Sequence, residues 1–387
     1  MTPEPFQVDV PDGVLDDLHQ RLHHTRWATD YGNDDWHYGV NGDWLRSLVA
    51  YWLTEYDWRA QEAAINAFPQ FRVRLDGIPI HFIHVRGKGP SPLPLILTHG
   101  WPWTFWDFHA VIGPLSDPAA YGGDPADAFD VVVPSLPGFG FSTPLDIPGV
   151  NASRTANLWV QLMTEVLGYE RFCAQGGDWG AIVTALMGHR HADRLIGIHL
   201  SFPALLGAGF RSVKREDYGP GEEEWYDRMQ RRMLTTVSHL GVHNNDPQTL
   251  AYALNDSPAG LAAWLLERRR SWSDSGGGHP DQVFDRDFLL TTVMIYWVTQ
   301  SIGTSMRYYI EHFSRPWEPD HDRQPAIEAP TGITVFPQEL VLMPRSVAER
   351  HANLVHWTVQ EAGGHFAPSE QPEALVADIR AMFRTLR

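Results

Sequence analysis

The chain has 387 residues, of which 43% are hydrophobic and 20% are charged, with 33 glycines and 29 prolines. These values exclude collagen-like, disordered and coiled-coil chains and predict a globular protein with a large buried core. The 47 acidic and 30 basic residues leave a formal net charge of -17, which would repel nucleic acid phosphates and anionic lipids, so we expect neither as a partner.

The single cysteine, Cys173, excludes an intrachain disulfide framework and suits a reducing compartment. Residues 1–10 lack the basic region and apolar run of an export signal. The uncharged stretch Phe288–Met306 is nearly long enough to span a membrane, but seven of its residues are Thr, Ser or Gln, which favours a buried helix. We therefore expect a cytoplasmic protein with no membrane anchor. Whether chains associate stays open, with a homodimer as one alternative.

The first seventy residues differ in pattern from the rest. Pro11–Trp27 repeats apolar residues at helical spacing behind Asp12, a candidate helix cap. Trp44–Phe68 is a second helical stretch, rich in Trp and Tyr. The aromatic residues predict that this extension, residues 1–70, packs on a larger body.

From Phe71 the pattern changes to strands. Phe71–Leu75 and Ile80–Val85 flank Asp76-Gly77, a hairpin signature. Later apolar runs are short, bounded by Gly or Pro, and several are separated by helix-length segments, which indicates parallel strands covered on both faces. These runs are Leu93–Thr98, Phe129–Val133, Phe172–Ala174, Leu195–Leu200, Ile333–Phe336 and Leu354–Val359. The predicted fold class is α/β.

The strand pattern stops between about Phe202 and Met306, where helical, charged and aromatic stretches follow one another. This arrangement is typical of a helical insertion between two strands of a sheet. We therefore predict a core in two parts, residues 71–204 and 313–387, separated by a helical cap over residues 205–312.

The segment Gln175–Gly180 reads as a strand, a sharp turn and a helix, with Asp178 at the centre of the turn. In α/β-hydrolases, small residues on either side of such a turn let the strand and helix approach, and the central side chain is the nucleophile. A carboxylate there can attack an electrophilic carbon and form an ester. The alternative is a glycine-rich turn in which Asp178 only caps a helix.

His99-Gly100-Trp101-Pro102 follows the strand Leu93–Thr98, where the hydrolase fold places one oxyanion donor. We assign the two donors to backbone N–H groups, one at Trp101 and one at Trp179, the residue after the nucleophile. The side chain of His99 is expected to be structural rather than catalytic.

A general base is expected late in the chain, because the hydrolase fold orders its triad as nucleophile, acid and base. His365 lies on the glycine-rich segment Gln360–Pro368 after the last strand, and its imidazole suits proton transfer near neutral pH. Glu339, after the strand Ile333–Phe336, is placed to orient that histidine. The alternative for Glu339 is a solvated loop residue.

With these motifs in order, the sequence resembles the microsomal-type epoxide hydrolases, a branch of the α/β-hydrolase superfamily. The resemblance covers nearly the whole chain. Its motifs are Pro5–Val8, Val10–Asp12, Thr25–Trp27, His99–Pro102, Pro137–Ser142, Gly177–Gly180, Ala253–Leu261, Phe336–Leu340 and Gly363–Phe366.

The resemblance implies an α/β-hydrolase fold with a helical lid, with Asp178 as nucleophile, His365 as base and Glu339 as charge-relay acid. Family members also use lid tyrosines to protonate the epoxide oxygen. The segment Arg307-Tyr308-Tyr309 resembles one such motif, which assigns the role to Tyr309, with Tyr308 as its alternative.

A second lid tyrosine is expected shortly before Ala253, but the chain has no tyrosine in Ser238–His243. His239 is one candidate for that place, and Tyr226 or Tyr252 could reach it from elsewhere. This departure concerns the protonation of the epoxide oxygen, because the family uses tyrosine hydroxyls for that step.

The resemblance predicts conversion of a small hydrophobic epoxide and water to a 1,2-diol through a covalent aspartyl ester, with no cofactor and no metal. The residues predicted to bind substrate are His99, Trp101, Phe139, Trp179, His239 and Tyr308. Two alternatives remain: a haloalkane-dehalogenase-type hydrolase, in which Trp179 would hold the halide, and a hydrolase-like protein that binds a ligand without turning it over.

Overall fold

A nine-stranded sheet forms the centre of the computed structural model, which describes residues 2–209 and 212–387. The spatial order of the strands is β1-β2-β3-β5-β4-β6-β7-β8-β9. The pairs β1–β2, β2–β3 and β3–β5 are antiparallel, and all later pairs are parallel. The strands are β1 Glu4–Phe6, β2 Gln70–Leu75, β3 Ile78–Val85, β4 Leu93–Thr98, β5 Phe129–Pro134, β6 Phe172–Gly176, β7 Leu195–Leu200, β8 Ile327–Val335 and β9 Ala352–Val359.

Helices cover both faces of the sheet, and those between β7 and β8 form an insertion that is also called the lid. The helices are α1 Asp12–His23, α2 Gly42–Thr54, α3 Trp58–Asn66, α4 His109–Ser116, α5 Ala152–Gln161, α6 Trp179–Arg190, α7 Trp225–Thr235, α8 Ser238–Asn245, α9 Pro247–Asp256, α10 Pro258–Trp272, α11 Arg286–Thr299, α12 Ile302–Phe313, α13 Arg345–His351, α14 Ala367–Glu370 and α15 Pro372–Arg384.

The central strands are mostly apolar because both of their faces are covered. Every residue of β5 and of β6 is buried. The hairpin at Asp76-Gly77 is present, and both residues have positive φ, as a tight turn of this kind requires. The predicted α/β fold class is confirmed.

The N-terminal extension joins the sheet through β1, which the sequence pattern did not reveal. Trp44–Phe68 was predicted as one helical stretch, but it contains two helices, because the Asp57 side chain accepts backbone N–H groups at the start of α3. The prediction that Asp12 caps α1 is wrong: Asp12 is the first residue of the helix and pairs with Arg59 at 2.5 Å.

The aromatic residues of the extension contact the helical insertion. Tyr51 Oη donates to Asp287 at 2.8 Å, and Trp44 Nε1 donates to Asp281 at 3.2 Å. Phe288–Met306 is not one helix: Gln300, with φ of 52°, separates α11 from α12. Within the described residues, no helix combines the length and the apolar character needed to cross a membrane. The boundaries 1–70, 71–204, 205–312 and 313–387 stay a prediction.

We predict that Gly180→Ala destabilises the protein by about 1 to 3 kcal/mol or more, as overpacking does. A Cβ atom on Gly180 would run into the backbone carbonyl of Thr98 at the end of β4. Urea unfolding measures the change in the free energy of unfolding.

The control is Gly13→Ala in α1, where a Cβ meets open space. We expect this variant to gain about 0.5 to 1 kcal/mol in the free energy of unfolding. Similar unfolding midpoints for the two variants would contradict this account.

Candidate active site

Asp178, Glu339, His365 and Trp101 each follow a parallel strand of the sheet, namely β6, β8, β9 and β4. The carboxyl ends of parallel strands meet at the same edge of a sheet, where α/β proteins place their ligands. Residues that are far apart in the chain therefore meet at this edge.

The turn between β6 and α6 gives Asp178 an unusual backbone conformation, with φ of 49° and ψ of -126°. Close packing surrounds it, because a Cβ on Gly176 would meet the backbone of Gly180 and a Cβ on Gly100 would meet the side chain of Asp178. The carboxylate makes no capping bond to α6. The geometry therefore disfavours the alternative in which Asp178 is only a helix cap.

The carboxylate of Asp178 contacts two other candidate residues. Its Oδ1 accepts a hydrogen bond from the backbone N–H of Trp101 at 2.8 Å. Its Oδ2 lies 3.3 Å from Nε2 of His365, although that nitrogen is not aligned for a hydrogen bond. Trp179 is the first residue of α6, where backbone N–H groups have no acceptor within the helix.

His365 links Asp178 to Glu339. Its Nδ1 lies 2.7 Å from Oε1 of Glu339, which also accepts the backbone N–H of Leu340 at 2.5 Å. Glu339 and His365 are each about 1% exposed. Burial lowers the pKa of His365, but the negative charges of Glu339 and Asp178, together with the hydrogen bond to Glu339, outweigh burial and raise that pKa above its ordinary value.

A largely apolar cavity of about 490 Å³ opens above Asp178. Its lining combines lid residues with the segments that follow β7 and β8. The lining includes Asp178, Trp179, Ile182, residues 202–209, Met233, Val237, His239, Leu240, Trp272, Tyr309, Phe313, Trp317, Leu340, Val341 and Met343. An apolar wall with few polar groups is typical of a small-molecule site.

Tyr309 and His239 both line this cavity, on α12 and α8. Their rings are 5.5 Å apart, and the ring of Tyr309 lies 4.7 Å from that of Trp179. Burial, followed by the charge of Asp178, raises the pKa of Tyr309 well above its ordinary value, so its hydroxyl stays protonated. Burial lowers the pKa of His239 well below its ordinary value, so its imidazole is neutral.

The other lid tyrosines lie elsewhere. The hydroxyl of Tyr308 is 2.8 Å from Oγ1 of Thr155, which turns it away from the cavity. Tyr226 packs on Tyr218 in another part of the lid. Tyr252 is 71% exposed. Of the candidates for the place of the second tyrosine, His239 is the one that lines the same cavity as Asp178.

Four residues predicted to bind substrate, His99, Trp101, Phe139 and Tyr308, are not among those that line this cavity, and their role in binding stays a prediction. His99 is fully buried, and its Nε2 accepts the backbone N–H of Leu136 at 3.0 Å. Phe139 packs between His99 and Tyr308, at centroid distances of 5.6 and 5.7 Å. Trp101 stacks on His239 at 5.3 Å and so supports the cavity wall.

Sequence reasoning missed Trp272, whose ring lies 5.1 Å from His365 and 4.9 Å from His239. It also missed the segments after β7 and β8, although a strand end in this fold class is itself a signal for binding residues. Across residues 2–209 and 212–387, no group of three or more His, Cys, Asp or Glu side chains is placed to hold a metal ion.

Known proteins are similar to this chain in both sequence and fold. The family described as "Epoxide hydrolase N terminus" matches residues 3–108, and the family described as "alpha/beta hydrolase fold" matches residues 94–217. A protein of Stigmatella aurantiaca that carries an epoxide hydrolase name is 40% identical, over 99% of this chain and 85% of its own length. Epoxide hydrolase 1 of Oryctolagus cuniculus is 34% identical, over 97% of this chain and 87% of its own.

A solved structure of the Aspergillus niger epoxide hydrolase superposes with a TM-score of 0.86 and 30% sequence identity. The match covers 100% of this chain and 97% of that one. Sequence and fold agree along nearly the entire chain, and the protein therefore belongs to the epoxide hydrolase family of the α/β-hydrolase fold.

Proposed function

We propose that the protein hydrolyses a hydrophobic epoxide to a 1,2-diol through an ester on Asp178. One observation carries the proposal: the Asp178 carboxylate, in contact with the backbone N–H of Trp101 and close to His365, faces an apolar cavity that Tyr309 also lines. The apolar wall suits a substrate with a hydrophobic body.

In the first step, Oδ2 of Asp178 attacks one epoxide carbon and the bond from that carbon to the ring oxygen breaks. Oδ1 is held by Trp101, which leaves Oδ2 as the nucleophilic atom. Tyr309 donates its proton to the leaving oxygen, so that the product is a hydroxyalkyl ester. This proton transfer separates an epoxide hydrolase from a dehalogenase, because a halide leaves without being protonated.

In the second step, Nε2 of His365 takes a proton from water, and the resulting hydroxide attacks the ester carbon of Asp178. The N–H groups of Trp101 and Trp179 stabilise the negative oxygen of the tetrahedral intermediate. The intermediate collapses, the departing alkoxide of the diol takes the proton of the hydroxyl group that came from water, and the Asp178 carboxylate is restored. One oxygen of that carboxylate then comes from water.

The ester itself turns His365 into a base. In the free enzyme, the charge of Asp178 helps to raise the pKa of His365, which favours the imidazolium. Esterification removes that charge, so the pKa of His365 falls and the imidazolium releases its proton, which restores the hydroxyl of Tyr309 after that residue has protonated the epoxide oxygen. The base therefore becomes available only once there is an ester to hydrolyse.

We assign His239 as the second hydrogen-bond donor to the epoxide oxygen. It is 4% exposed, lines the cavity beside Tyr309 and is neutral, so one of its ring nitrogens carries a proton. This arrangement supplies a donor where no tyrosine is available.

We also propose a cytoplasmic location, which the buried free thiol of Cys173 supports because such thiols persist in a reducing compartment. A homodimer stays a prediction.

We predict that His365→Gln accumulates substrate on Asp178, because ester formation needs no general base whereas ester hydrolysis does. Intact-protein mass spectrometry after incubation with an aryl or alkyl epoxide should show one added substrate mass.

In a single turnover of the unmodified enzyme in oxygen-18 water, the first diol should carry no heavy oxygen, because its new hydroxyl oxygen comes from Asp178.

His19→Gln, on the exposed face of α1, is the matched control and should show no adduct. A diol labelled in the first turnover would mean direct attack by water. A clean spectrum together with an inactive parent enzyme would favour the ligand-binding alternative, and turnover of haloalkanes alone would favour a dehalogenase.

We predict that Tyr309→Phe slows ester formation by about 10²-fold or more, since it removes a positioned acid.

We predict that His239→Phe slows ester formation by roughly tenfold, the value of one hydrogen bond. His239→Tyr should recover most of the rate, because its hydroxyl restores a donor. Stopped-flow tryptophan fluorescence measures the step; equal rates for His239→Phe and the parent enzyme would remove His239 from the mechanism.

We predict that Glu339→Gln slows ester hydrolysis by about 10²-fold or more, because the histidine loses its orienting carboxylate. The negative charge of Glu339 raises the pKa of His365, so its removal lowers that pKa. Ester hydrolysis needs the neutral imidazole and rises with pH until His365 is deprotonated. The rise should therefore shift to lower pH in Glu339→Gln, as rapid-quench measurements across pH can establish; a shift to higher pH would contradict the assignment.

A further inference from the structure

The loop that carries His365 lies against the end of the lid helix α10. The backbone N–H of His365 donates to the carbonyl of Trp272 at 3.0 Å. Two residues earlier, the N–H of Gly363 donates to Oδ2 of Asp274 at 2.9 Å. The two segments touch so closely that a Cβ on Gly364 would meet the carbonyl of Trp272 at 2.7 Å.

Glu370 ties the same two segments together from the other side. Its Oε1 accepts the backbone N–H of Phe366, the residue after the histidine, at 2.8 Å. Its Oε2 accepts the backbone N–H of Asp274 at 2.7 Å. Both oxygens of one carboxylate are therefore used to join the histidine loop to the segment that follows α10.

The end of α10 is itself anchored in the core. Arg269, which is fully buried, donates to Oδ1 of Asp107 at 2.6 Å. Its guanidinium carbon lies 4.0 Å from the ring centre of Phe366. Ser369 also donates to Asp107, at 3.3 Å. The segment that holds the histidine loop is thus fixed relative to the sheet.

The histidine loop needs such support because its own backbone is permissive. It contains Gly363 and Gly364, and Gly363 has φ of 104°, a conformation that L side chains rarely adopt. A general base must reach its proton within hydrogen-bond distance. Gly363 and Gly364 do little by themselves to hold the neighbouring His365 in place.

We propose that Asp274 and Glu370 are positioning residues for the second chemical step, and that they hold the His365 loop against the end of α10. The proposal rests on the proposed function, since it assumes an ester on Asp178. Neither residue lines the cavity above Asp178. The lid helix α10 thereby supports the catalytic base in addition to covering the cavity.

The two-step reaction separates this role from a general effect on folding. Asp178 attacks the epoxide without proton transfer to His365, whereas hydrolysis of the ester depends on the placement of that histidine. A loosened loop should therefore slow ester hydrolysis and leave ester formation nearly unchanged. A variant that is simply less folded would lower the active fraction in both steps alike.

The test compares Asp274→Ala and Glu370→Gln with the parent enzyme in single turnovers. Asp274→Ala removes the acceptor for Gly363, and the amide of Glu370→Gln turns an NH₂ group towards one of two N–H donors. Rapid quench with intact-protein mass spectrometry follows ester formation and decay on styrene oxide. We expect ester decay to slow by about 10- to 100-fold, as loss of a supporting contact does, with ester formation within about twofold, the ordinary range of a surface change.

Two matched variants complete the design. Glu361→Gln removes a carboxylate from an exposed position on the same loop and should leave both steps unchanged. Asp274→Asn keeps an oxygen that can accept the N–H of Gly363, so it should restore most of the decay rate and also serves if Asp274→Ala does not fold.

Ester decay at the parent rate in both Asp274→Ala and Glu370→Gln would overturn the proposal, as would an equal loss in formation and decay. Failure of Asp274→Asn to improve on Asp274→Ala would also count against it. A different result would overturn the proposed function itself: no ester on Asp178 in the parent enzyme or in His365→Gln. The two failures are therefore distinguishable.

Discussion

The active site depends on one close contact, where the start of α6 meets the end of β4. Gly180 lies against the carbonyl of Thr98, and Gly176 lies against Gly180 itself. Only this approach lets the chain turn at Asp178 with φ of 49° and project a carboxylate beyond the sheet edge. Strained backbone of this kind persists because the surrounding packing determines it, and it concentrates at functional sites. The small residues around the turn therefore determine where the Asp178 carboxylate lies.

Burial strengthens the interactions between the charged groups at the carboxyl edge of the sheet. Glu339, His365 and Asp107 are almost fully enclosed, and interactions between charges strengthen where water is excluded. The buried pair of Arg269 and Asp107 illustrates the cost of disruption, since removing one partner of such a pair typically destabilises a protein by about 3 to 5 kcal/mol. The same enclosure couples the protonation of His365 to the charge state of Asp178, and in the proposed mechanism this coupling orders the two chemical steps.

The helical insertion contributes more than a cover. It places Tyr309 and His239 in the wall of the cavity that Asp178 also lines, and its helix α10 ends against the loop that carries His365. The N-terminal extension holds this insertion from outside through Tyr51 and Trp44. Extension, insertion and sheet therefore form a continuous set of contacts around one carboxylate.

The sequence by itself determined the fold class and the identity of the chemical groups. Apolar runs between glycines predicted the parallel sheet, and the turn around Asp178 and the late histidine were visible as local patterns, because each depends on residues adjacent in the chain. Tertiary structure alone decided which side chains face the cavity. Phe139 and Tyr308 were predicted to bind substrate but do not line the cavity, whereas Trp272, which the sequence analysis did not name, lines it beside His239, which was predicted. Such contacts depend on packing between elements, which local spacing does not encode.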